Sequence, residues 1–100
     1  MSIVVTGASG FIGSTLVPLL AARADVVAID RRPPRHQQPG VATLRGELTR
    51  PSDDILDALH EAEAVIHLAG CPGVRDVAPD VELRRHRDNV AATAMVLDVT

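Results

Sequence analysis

Three glycines spaced three apart, Gly7, Gly10 and Gly13, follow the apolar run Ile3-Val4-Val5-Thr6 and open an apolar-periodic segment that starts Phe11-Ile12. Residues of these types in this order can hold an anion without a charged side chain. A strand ending at Thr6 delivers a tight turn, Gly7 and Gly10 leave nothing between backbone and ligand, and Gly13 lets the next helix lie close on the strand. That helix aims unpaired N–H groups, those of Phe11 and Ile12 among them, at the bound group. Free donors and the positive end of the helix dipole both favour a pyrophosphate. Asp30 closes a second apolar run, Val26-Val27-Ala28-Ile29, at the distance of about 20 residues that a dinucleotide cradle requires. From there its carboxylate can accept from both hydroxyls of an adenosine ribose and would repel a 2′-phosphate, which selects NAD. Arg31 and Arg32 act the other way, since guanidinium pairs with a 2′-phosphate, and they leave NADP open. A glycine-rich turn with no ligand is the plain alternative.

Positioning these groups takes alternating strands and helices. The pattern predicts a first strand from Ile3 to Thr6 and a first helix from Phe11 to about Ala22, with Phe11, Ile12, Leu16, Leu19 and Leu20 near one face. Pro18 is expected to kink that helix or shift it locally, because it removes the N–H that would bond the Ser14 carbonyl. A second strand covers Val26 to Ile29, a polar loop Arg31 to Gly40, and a short third strand Val41 to Arg45. Ser52 or Asp53 can cap a helix through Leu59, with Asp54 favoured by its dipole. Ala64 to Ala69 is an unbroken apolar run ended by Gly70 and Pro72, which reads as a parallel strand covered on both faces. A last helix runs from about Asp80 to Thr100, polar through Arg84, Arg85, His86 and Arg87, then apolar through Val90, Ala94 and Leu97.

Strand and helix in alternation imply an α/β fold, a Rossmann-type doubly wound parallel sheet of about four strands in the order 3-2-1-4. The fourth strand would then stand on an open edge although its composition asks for a neighbour on each side. The expectation is an incomplete sheet, either the front portion of a longer protein or one completed by an oligomer.

The 100 residues make one domain, and an apolar fraction of 46% can fill its core. A formal net charge of −3 gives no broad attraction to nucleic acid, so no DNA or RNA partner is expected. No apolar run approaches the ~20 residues of a membrane span and no basic region precedes the first strand, which predicts a soluble, cytoplasmic protein. The single cysteine, Cys71, fits a reducing compartment and is best read as a buried inert thiol. His36, His60, His67 and His86 show no metal-ligand spacing, so no metal site is expected. His67, inside the fourth strand, reads as a core histidine with its hydrogen bonds made. All ten basic residues are arginine, and lysine, tyrosine and tryptophan are absent.

With these motifs in place, the chain resembles the extended short-chain dehydrogenase/reductases, the NAD-dependent epimerase/dehydratase family. Thr6 to Gly13 is similar to the family's Thr-Gly-x-x-Gly-x-x-Gly, Val65 to Gly70 to its fourth strand, and Asn89-Val90-x-x-Thr93 to its Asn-Val-x-Gly-Thr helix. Ala92 stands where the family has glycine, which puts the packing of that helix in question. The resemblance implies that Phe11 and Ile12 meet the pyrophosphate, that Asp30 and Arg31 lie beside the adenine ribose, and that Glu47-Leu48 sits at the adenine. Glu47 has a plain alternative as a solvated loop charge. Leu68, Ala69 and Gly70 would form the floor beneath the nicotinamide-side ribose, and Asn89 would tie a helix to a loop. The Arg84 to Arg87 stretch reads as a solvated helix start, with substrate phosphates as the weaker alternative.

The resemblance also implies hydride transfer coupled to a Tyr-x-x-x-Lys pair, and neither residue type occurs here. No catalytic residue is therefore assigned. The expected parent is an NAD(P)-dependent epimerase, dehydratase or reductase acting on a nucleotide sugar or related small molecule, with this chain as its cofactor-binding part. The family's habits admit a homodimer. A non-catalytic dinucleotide-binding sensor or interaction module is the alternative.

Overall fold

The computed structural model describes residues 2–34, 38–69 and 91–99. Its elements are β1 (Ser2–Thr6), α1 (Phe11–Ala21), β2 (Val26–Asp30), β3 (Val41–Arg45), α2 (Asp53–Glu61), β4 (Ala62–His67) and α3 (Ala92–Val99). The four strands form one sheet in the order β3-β2-β1-β4, and every pairing is parallel. Register places Thr6 opposite Ile29 on one side and His67 on the other, and Asp30 opposite Arg45. The ends of all four strands therefore meet along one edge.

Side-chain alternation along β1 and β2 divides the core between the two faces. Val5, Val26 and Ala28 pack with Ala8 and Val17 on the α1 side. Val4 and Ile29 pack with Leu48, Ile55, Leu59, Ala92 and Val96 on the face covered by α2 and α3. The Ser52 hydroxyl caps α2 by accepting from the Ile55 N–H at 3.3 Å, Asp53 and Asp54 occupy its first turn, and Ile55 and Leu59, four apart, supply the buried stripe. Ala92 is 5% exposed within this core, so its methyl is accommodated.

Two expectations change. The buried face of α1 is Gly13 and Val17, not the bulkier set, and Phe11, Ile12 and Leu19 are exposed. The cause is Gly13: it must lie against the backbone of Gly7 and Ala8, and that contact sets the rotation of the helix ahead of side-chain size. Pro18 lies inside this helix. In β4, the strand is Ala62–His67, so Leu68 and Ala69 lie beyond its end. Among the described residues β1 is its one sheet neighbour, and no β4 residue is fully buried. Gly70, Cys71, His36, His86, Asn89 and the Arg84 to Arg87 stretch lie outside the described residues, as does the first part of the expected last helix. No described helix is long and apolar enough to cross a membrane.

Candidate dinucleotide site

At the shared strand edge, β1 turns into α1 through Gly7, whose φ of +68° lies in the left-handed region. A Cβ on Gly7 would stand 2.6 Å from the Ala69 nitrogen, and one on Gly13 would stand 2.5 Å from the Gly7 carbonyl oxygen. Gly10 is different, because its Cβ would meet only the Gly7 oxygen at 3.3 Å. Two of the glycines thus serve close backbone packing, and the third stands at the open side. Gly10 is also the N-cap of α1, where no side chain accepts from the helix and no acidic residue occupies the first turn. The first-turn amides, with Phe11 83% exposed beside them, are left for an external acceptor.

Asp30, at the end of β2, reaches this turn directly. Its Oδ2 accepts the Ser9 N–H at 2.9 Å and its Oδ1 accepts the Arg32 N–H at 2.9 Å, with the Arg32 Nε 3.8 Å from Oδ1. The Ser9 hydroxyl donates to the Arg32 carbonyl at 3.3 Å. Each carboxylate oxygen has two acceptor positions, so these bonds orient Asp30 and leave one position on each oxygen. The role of Ser9 escaped the sequence reading, and the only available signal was its place between two of the glycines.

The Arg31 Nη1 lies 3.2 Å from the Glu47 Oε1, and Thr49 donates to Glu47 Oε2 at 3.3 Å. The two residues expected around the adenine are thus brought together across the ends of β2 and β3. Leu48, expected beside them, is 7% exposed and belongs to the core with Val4 and Ile55. On the far side of β1, the Leu68 N–H donates to the Thr6 carbonyl at 3.0 Å and the Ala69 N–H to the Thr6 hydroxyl oxygen at 3.3 Å. Phe11, Ile12, Asp30, Arg31, Glu47, Leu68 and Ala69 all border one edge. A small cavity of about 60 Å³, absent from the sequence reading, lies under α1 against β2 and β3, between Val17, Pro18, Val41 and Thr43, with Ser9 and Asp30 at its end.

His67 ends β4 with both ring nitrogens engaged, Nδ1 with the Thr6 hydroxyl at 2.6 Å and Nε2 with the Thr93 hydroxyl at 2.9 Å. Burial lowers its pKa below the ordinary 6.5. As pH falls through 6.5 the unfolded chain takes up this proton before the folded one. The associated stability is therefore complete above 6.5 and lost as pH falls toward the lower folded value. Urea midpoints measured on either side of pH 6.5 are expected to drop toward acid in the wild type and to drop less in His67→Asn, whereas equal drops would remove His67 as a source.

A sequence profile of the NAD dependent epimerase/dehydratase family matches residues 3–100. Among curated proteins, none matches the chain. Similar solved structures include MoeE5 in complex with UDP-glucuronic acid and NAD, at 38% identity and a TM-score of 0.81, covering 99% of this chain and 32% of that one. UDP-glucuronic acid 4-epimerase from Bacillus cereus, in complex with UDP-glucuronic acid and NAD, aligns at 28% identity and a TM-score of 0.81, covering 99% and 36%. A short-chain dehydrogenase/reductase superfamily protein from Agrobacterium tumefaciens with bound NAD aligns at 30% identity and a TM-score of 0.79, covering 99% and 28%. The chain spans about a third of the length of these structures.

Proposed function

The chain belongs to the NAD dependent epimerase/dehydratase family, and from that premise we propose that it is the cofactor-binding part of an NAD-dependent oxidoreductase acting on a nucleotide sugar. The observation that carries this reading is Asp30: a carboxylate oriented by the Ser9 amide stands next to an uncapped helix start. One group suits a ribose diol, the other a pyrophosphate. The residues fit the cofactor, since the backbone at Gly10 is open while Gly7 and Gly13 bring β1, α1 and the end of β4 together around it. The amides of Phe11 and Ile12 would hold the pyrophosphate, Asp30 the adenosine ribose, Arg31 and Glu47 the adenine side, and Leu68, Ala69 and Gly70 the floor of the other half. When bound, NAD supplies a reversible hydride acceptor. The side chains present here bind and orient, and none is assigned to proton transfer.

The presence of UDP-glucuronic acid together with NAD in two of the similar structures supports a nucleotide-sugar substrate for the whole protein. The oriented Asp30 and the uncapped start of α1 would equally serve, as the second reading, a dinucleotide-binding module without catalysis. Calorimetric titration with NAD and NADP tests the binding claim: saturable binding with NAD the tighter is expected, and no binding of either would refute it. Product analysis of UDP-sugars incubated with NAD and the whole protein then separates the readings, since conversion of the sugar sinks the module and its absence with NAD bound sinks the enzyme.

A further inference from the structure

Thr6, His67 and Thr93 form a hydrogen-bonded chain that crosses from β1 through β4 to α3. Its direction follows from satisfaction of the Thr6 hydroxyl, which is 0% exposed. That oxygen already accepts the Ala69 N–H at 3.3 Å. If it also accepted from His67, its own proton would be buried with no acceptor, a costly arrangement. Thr6 therefore donates to Nδ1, and Nε2–H donates to Thr93. This arrangement requires a neutral imidazole, which the burial of His67 favours. The consequence lies one peptide further along, where the Leu68 and Ala69 amides are both tied to Thr6 and the same stretch presses on the side-chainless Gly7.

We propose that His67 is a positioning residue which, by orienting the Thr6 hydroxyl, fixes the Leu68 to Ala69 backbone against the Gly7 turn and so sets the floor for the half of the dinucleotide that extends over β4. This rests on the dinucleotide reading above. With the pyrophosphate at the β1–α1 turn and one ribose at Asp30 on the β2 side, the sheet order β3-β2-β1-β4 leaves β4 to the other half. ADP, which lacks that half, is the internal control.

Affinities for NAD and ADP are measured in the protein and in Thr6→Val, Thr6→Ser and His67→Leu. Thr6→Val and His67→Leu are expected to weaken NAD about fivefold more than ADP, the scale of one hydrogen bond, and Thr6→Ser to keep the wild-type ratio. Equal weakening of both nucleotides, as a purely structural role would give, overturns the inference, as does no weakening. Nitrogen-resolved NMR of wild-type His67 tests it without a variant: the Nε2–H tautomer is expected, and Nδ1–H refutes it. Failure of the wild type to bind NAD would overturn the dinucleotide reading, and the inference with it. An unchanged NAD-to-ADP ratio with wild-type binding intact overturns the inference alone.

Discussion

Replacing Gly7 by alanine is expected to lower the unfolding free energy by about 3 kcal/mol and to abolish measurable NAD binding. Two costs act together. A φ of +68° costs an L-residue about 1–2 kcal/mol, and the new Cβ would stand 2.6 Å from the Ala69 nitrogen and 2.7 Å from the Leu68 carbonyl carbon. Both contacts are backbone, so relief requires parting β1 from the end of β4, which costs about 1–3 kcal/mol. Gly13→Ala meets a similar clash, 2.5 Å from the Gly7 oxygen and 2.7 Å from the Ala8 Cα. A helix propensity gain of about 1 kcal/mol leaves its net loss smaller. Gly10→Ala is the control: with one neighbour at 3.3 Å it is expected to leave stability within about 1 kcal/mol while weakening NAD, because its methyl would occupy the open side proposed for the pyrophosphate. Urea unfolding of the three variants, beside NAD titration, checks the order. Gly7→Ala as stable as the wild type would show that the close packing at this turn is not required.

Asp30→Ala is expected to carry the second large effect, a stability loss of about 2 kcal/mol together with a fall in NAD affinity of about tenfold or more. The carboxylate is a charged acceptor for two amides, each at 2.9 Å, and bonds of this kind contribute about 1.5–3 kcal/mol. Ser9 is 5% exposed, so its amide loses the acceptor with little water to replace it. Arg32 is well exposed, and its amide recovers a partner in solvent. On binding, the two remaining acceptor positions of Asp30 are lost, and with them the charge that repels a 2′-phosphate. NADP should therefore weaken less than NAD, and the preference for NAD should narrow. Titration of the variant with both nucleotides reads this directly, and an unchanged NAD-to-NADP ratio would remove Asp30 as the selector.

The glycine spacing and the acidic residue after the second strand were legible because each has a local cause. A turn that passes φ > 0 demands glycine, and a strand that ends beside another places its next side chain at the edge. The same local logic narrowed the cap of α2 to Ser52 or Asp53, of which the structure uses Ser52, while the order of the four strands followed from the doubly wound rule for alternating strands and helices. It misjudged the face of α1, because periodicity weighs Phe11, Ile12 and Leu19 by size and cannot register that a glycine with no side chain is the buried anchor. Nor could it register that the Leu48 side chain packs into the core with Val4 and Ile55.

By itself, then, the amino-acid order determined a parallel α/β sheet, the glycine turn that joins its first strand to the first helix, and the acidic residue beside it, all of which depend on contacts within a few positions or on simple repetition. Only the tertiary structure decided that Asp30 is held by Ser9 across 21 positions, that Arg31 meets Glu47, and that His67 joins Thr6 to Thr93 across 61 and 26 positions. The physical reason is that hydrogen bonds of this kind depend on the register of distant strands. That register is set by how two faces of a sheet fill with side chains, and no short stretch of chain contains it.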